Sequence, residues 1–140
     1  MKKRLSQQQK EFFKPKTQKA FQEQPYLKKL HRRLLEIDGA AVVLWSGTNS
    51  EEIVSRLLSL GQTDSGQNAV LRLGKASECH ENSFAIHQQD PARYEVRTGY
   101  ALSEDGIWRP HSWVFDAKVN GIIETTEKRV TYFGVVKFAR

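Results

Sequence analysis

The chain has a single cysteine, Cys79, in 140 residues, and that scarcity excludes a good deal. One thiol cannot form an intramolecular disulfide or build a Cys-rich structural zinc site. No apolar run approaches the roughly 20 residues that a membrane-spanning helix needs. The first stretch, MKKRLSQQQKEFF, has a charged leader but places Gln, Lys and Glu where a signal peptide carries its apolar segment. A glycine-rich phosphate loop, a Walker motif and a nucleophilic-serine elbow are all missing, so nucleotide chemistry has no support. These absences lead to the expectation of a soluble, cytoplasmic protein without a transmembrane segment.

Acidic residues are scarce at one end only. Residues 1–35 hold eleven Lys and Arg against Glu11 and Glu23, a surplus of nine; the whole chain carries +6, so the remainder carries −3. The basic character belongs to the N-terminal segment and not to the body of the chain. Residues 1–24 read as a basic arm, either a helix broken near Pro15 or a partly disordered stretch. Residues 25–140 read as a single α+β domain.

Within that domain, helices come first. Pro25 suits a first helical turn, and Leu27, Leu30, Leu34 and Ile37 recur at helical spacing until Asp38-Gly39 ends the run. AAVVLWS is a short buried strand by its length and β-branching. A capping box, Thr48 with Glu51, opens a second helix that places Ile53, Leu57 and Leu60 on one face and stops at Gly61. GQTDSGQNAV is a turn-rich loop. Ser77 is placed to cap a third helix whose first turn carries Cys79 and which ends before Asp90-Pro91. Four strand-like runs then follow, RYEVRTGYAL, IWRPHSWVFD, IIETT and VTYFGVVKF, which predict an antiparallel β-meander.

Cys79 in a first turn raises a chemical question. A free thiol, with a pKa of about 8.5, is a poor nucleophile until a helix N-terminus or an imidazole favours the thiolate. Of the four histidines, His31 lies on the basic helix, His80 adjoins Cys79 but faces another direction on its helix, and His87 lies two turns along the same helix. His111 is the one with support, because IIETT supplies Glu124 one hairpin later. If the turn pairs Asp116 with Gly121, Trp113 lies opposite Glu124, and His111 and Glu124 become diagonal neighbours on one sheet face. A carboxylate there would hold the ring tautomer and stabilise imidazolium, with Asp116 and Asn120 as reserve orienters and Trp113 as a shield from water. Each residue alone has a plainer reading: an inert buried thiol, a hydrogen-bonded strand histidine, a solvated carboxylate. A metal site built on Cys79, His80, His87 and His111 is disfavoured, since the usual ligand spacings are absent.

The order Cys79 at a helix start, then His111-Ser112-Trp113, then Glu124-Thr125-Thr126 resembles the transglutaminase-like branch of the papain-like cysteine enzymes. There the motifs run Cys, His-Ala-Trp and Asp-x-Thr, so Glu124 departs from the pattern. The resemblance implies a papain-like/transglutaminase-like core and thiol chemistry on an acyl group. That covers peptidase, amidase, deamidase and acyl-transferase reactions on a peptide or protein amide, through a thioester and without a cofactor. It assigns Cys79 as nucleophile, His111 as base and then acid, and Glu124 as orienter, with the Cys79 amide in the oxyanion hole. Asn82, Gln67 and Trp113 are candidates for oxyanion or substrate contacts. The alternative is a non-catalytic binding protein on the same scaffold, whose basic residues 1–35 hold an anionic partner such as nucleic acid or an acidic protein.

Overall fold

Helix positions follow from where apolar side chains recur, and in the computed structural model, which describes residues 4–45 and 49–140, they order as follows. Helix α1 (Gln7–Glu23) starts at Ser6, whose hydroxyl accepts from the Gln9 amide at 3.1 Å while the Gln9 side chain accepts from the Ser6 amide at 2.9 Å. It runs through Pro15 without a break. The expected break near Pro15 is absent; Phe13 packs on Ala41 and Ile107, and Ala20 joins the main core. Tertiary packing holds α1 despite the hydrogen bond that proline removes.

Helix α2 (Leu27–Ile37) buries Leu27, Leu30 and Leu34; Pro25 sits in the turn before it and not in its first turn. At its end, Gly39 takes φ +83°, and a side chain there would press on the Trp108 ring. Strand β1 (Ala41–Val42) is shorter than expected. In α3 (Glu51–Leu60), Ser50 is the N-cap, its hydroxyl accepting from the Ile53 amide at 3.2 Å; the expected cap, Thr48, lies outside the described residues. Val54 and Leu57 form its buried face, whereas Ile53 and Leu60 are exposed.

The stretch expected as a loop contains β2 (Gln62–Ser65) and β3 (Val70–Leu71). Both are exposed strands held by backbone pairing at the two ends of the sheet, so their polar or short sequences lack the alternation that marks a half-buried strand. Helix α4 (Cys79–Gln89) then leads to β4 (Tyr94–Leu102), β5 (Ile107–Asp116), β6 (Gly121–Glu124) and β7 (Thr131–Phe138). The fold is α+β.

The strand order is β2-β7-β4-β5-β6-β3, with β1 parallel to β5. Strands β4, β5 and β6 form the antiparallel succession expected, but β7 crosses back to pair with β4. The four therefore have Greek-key order in place of a simple meander. One sheet face presents Tyr100, Leu102, Trp108, Phe133 and Val135 to the core shared with α2 and α3, and Ile86 of α4 packs on Tyr94, Val114 and Ile123. The other face carries a smaller cluster of Ala101, Trp113, Ile122 and Tyr132. No described helix is long and apolar enough to cross a membrane.

One detail of this topology positions the site. On the edge of β5 away from β4, β1 pairs only at Ile107 and Trp108, and β6 only from Val114 to Asp116. Between them no described strand covers residues 109–113. The Trp108 carbonyl faces β1, where it accepts from the Val43 amide at 2.9 Å. Alternation then points the backbone of residues 110 and 112 at the gap. Pro110 has no amide to leave unpaired there, and the Ser112 amide is free to meet a side chain.

Candidate active site

Cys79, the first residue of α4, meets β5 at this gap. Its thiol shares a cavity wall with His111 and Ser112, and the His111 side chain and the Ser112 amide both act on its titration. Burial pushes the thiol pKa up, but the His111 hydrogen bond and charge together with the Ser112 amide outweigh it, and the net shift is downward. Glu78, at the N-cap of α4, makes no side-chain capping bond, and Ser77 does not cap either: it takes φ +62° and lines the cavity beside Cys79. The amides that open α4 thus lack a side-chain cap beside the sulfur.

His111 is 5 % exposed and Glu124 is fully buried. The pairing of Asp116 with Gly121, Phe115 with Ile122 and Val114 with Ile123 is the expected register, which puts Glu124 opposite Trp113 and diagonal to His111. His111 Nε2 lies 2.8 Å from Glu124 Oε1. The same oxygen accepts from Tyr132 Oη at 2.8 Å, and Oε2 accepts from the Thr126 amide at 2.9 Å and the Thr126 hydroxyl at 3.0 Å. A carboxylate that accepts four hydrogen bonds stays ionised: burial pushes its pKa up, but the His111 contact and then the Thr126 and Tyr132 bonds bring it down to about 2. Nε2 is therefore the protonated ring nitrogen, and Nδ1 is the one that faces the thiol. For His111, burial lowers the pKa, while the bonds to Cys79 and Glu124 raise it by more. The opposite shifts of thiol and imidazole favour a thiolate–imidazolium pair.

Trp113 stacks near His111, with centroids 6.1 Å apart and planes at 22°, and packs on Tyr132. It is fully buried and lines neither cavity at Cys79. Gly134 makes room for it, since a Cβ there would lie 2.5 Å from the indole.

The remaining candidates sit elsewhere. Asn82 turns away, its amide bridging the backbone N–H and C=O of Lys75 at 3.2 and 2.8 Å. Gln67 is exposed in the turn after β2, its amide bonded to the Ser65 hydroxyl. Asp116 is held by Arg93 through two 2.8 Å bonds, and Asn120 is a turn residue with φ +52°, so neither orients His111. His87 bonds the Tyr94 carbonyl and His31 packs on Phe21. No group of three or more His, Cys, Asp or Glu among the described residues has metal-binding geometry.

Two cavities meet at Cys79, Pro110 and His111. One, of about 310 Å³, is lined by Ala76, Ser77, Thr126, Glu127 and Arg129; the other, of about 390 Å³, extends past Thr98, Tyr100, Val135 and Leu57 toward Asn49, Arg56, His80 and Lys137. Cys79 thus stands mid-way along a groove. Tyr132, Arg129 and the Ser112 amide are site groups that no local sequence signal marks, because each arrives through strand crossing or backbone direction. No protein-family model, curated protein or solved structure matches the chain, so the reading of this groove rests on its geometry.

Proposed function

We propose that the chain is a thiol-dependent enzyme of acyl chemistry, related in design to the transglutaminase-like and papain-like enzymes, acting on a peptide or protein amide. The observation that carries this reading is the chain of contacts Cys79–His111–Glu124, with the thiol pKa lowered and all four carboxylate acceptors of Glu124 engaged. A plain core cysteine has no use for such an arrangement, and it opens on no cavity.

The Cys79 thiolate attacks the acyl carbon, forming an Sγ–C bond and a tetrahedral oxyanion that the Cys79 amide at the start of α4 stabilises. Protonated His111 gives its Nδ1 proton to the leaving amine as the C–N bond breaks, leaving a thioester. Neutral His111 then takes a proton from water or an incoming amine, which attacks the thioester; the Sγ–C bond breaks and the thiolate returns. Glu124 stays ionised throughout, holding the ring and balancing its charge.

The test is acylation with a series of p-nitrophenyl esters, followed by intact mass and peptide mapping. The expected result is an acyl adduct on Cys79, removed by hydroxylamine, absent in Cys79→Ala and formed on the order of a hundredfold or more slower in His111→Ala. Ester turnover unchanged in Cys79→Ala refutes the reading.

A further inference from the structure

The two arms of the groove differ in charge. On the first, Arg129 has an acid beside it, Glu127 at 3.5 Å. The second contains Arg56 from α3, His80 from α4 and Lys137 from β7, and among its described lining residues there is no Asp or Glu. Neither Arg56 nor Lys137 forms an ion pair with a described residue. Arg56 is also anchored, its Nη2 donating to the Val136 carbonyl at 3.1 Å, one residue from Lys137, whose ammonium lies 3.5 Å from the His80 ring. Two elements thus bring the cationic side chains Arg56 and Lys137 to one rim, with the His80 ring of α4 beside Lys137, above an apolar floor of Leu57, Tyr100 and Val135.

The floor residue Tyr100 is buried, and Asn49 lines the same cavity beside it. An occupant with a short aliphatic stem and a negative end would satisfy floor and rim together.

We infer that this arm of the groove selects substrates bearing an anionic group, an acidic side chain of a peptide acyl donor, with Arg56 and Lys137 as specificity-determining residues. The inference rests on the thiol-enzyme reading above but is measured separately from it. Cationic walls around a cleft raise the local concentration of anions at the reacting atom, and Cys79 itself reports that potential through two alkylating reagents of like size and unlike charge, iodoacetate and iodoacetamide.

The experiment compares second-order alkylation rates at Cys79 in wild type, Arg56→Gln/Lys137→Gln and Lys137→Glu, at low ionic strength. The ratio of iodoacetate to iodoacetamide rates is expected to fall roughly three- to tenfold in the double variant, and further in the direction of exclusion for Lys137→Glu, any change in the thiolate population cancelling in the ratio. His111 is present in every variant, so its own charge cancels in the comparison. A ratio unmoved by either variant overturns the inference. A slow iodoacetamide rate in the wild type refutes the thiol-enzyme reading, and the change of ratio still decides whether the rim attracts anions.

Discussion

Glu124 is the residue on which the proposed chemistry depends most, because a buried carboxylate beside an imidazole is stabilising only while every oxygen lone pair is engaged. The sign of its titration follows. Its pKa falls from 4.5 in the unfolded chain to about 2 in the fold, so its contribution to stability is complete above about pH 4.5 and is lost as the pH falls toward 2. Glu124→Gln places an amide NH₂ among donors from Thr126, His111 and Tyr132. It should cost about 3–5 kcal/mol at neutral pH, as for other broken buried pairs, and flatten the acid side of the stability curve. Urea unfolding between pH 2 and 7 measures both effects.

At the scale of elements, the support for that carboxylate comes from a strand crossing. β7 returns beside β4, and this brings Tyr132 Oη to the Glu124 oxygen that also meets His111. Tyr132→Phe should cost about 1.5–3 kcal/mol, the usual worth of a hydrogen bond to a charged group. It should also move the acid limb of the stability curve upward, since one of the bonds that depress the Glu124 pKa is gone. A Tyr132→Phe curve that coincides with wild type would mean the hydroxyl does not support the charge.

The same crossing marks where sequence reading stops. Cys79 at a helix start, His111 before Trp113 and Glu124 one hairpin later were all legible, but their register was not: pairing Asp116 with Gly121 was one possibility, a one-residue slip would have separated His111 from Glu124, and only the fold fixes the pairing. The return of β7 was not legible, since alternation in VTYFGVVKF gives a strand but not its neighbour. Edge strands β2 and β3 were hidden for a related reason: exposed strands carry no hydrophobic pattern. Asn82 was attractive as a polar residue one turn past Cys79, but one helical turn from an N-terminal residue can also face the preceding loop, and there it clamps Lys75.

At the scale of the whole molecule, the first helix packs on the body of the fold. Phe13 fills a site against Ala41 and Ile107, the strands whose ends flank the gap at β5, and Ala20 meets the main core. Phe13→Ala should lower stability by about 3–5 kcal/mol while leaving the alkylation rate of Cys79 within about twofold, since the pocket of Phe13 is separate from the groove. Chemical denaturation and alkylation of the same preparation provide the two readings. The proposed chemistry thus lies at one break in a sheet edge, where a helix start, a backbone amide and a strand histidine converge, and the first helix braces one side of that break.

The pH dependence of iodoacetamide alkylation at Cys79, in wild type and in His111→Ala, tests this convergence most directly. In wild type the midpoint should lie below that of an ordinary thiol, because His111 and the Ser112 amide favour the thiolate. In His111→Ala burial acts with less opposition, and the midpoint should move up, to about the value of 8.5 expected of an unassisted thiol or above it. Identical profiles for the two proteins, with a midpoint typical of a free thiol, would contradict the account.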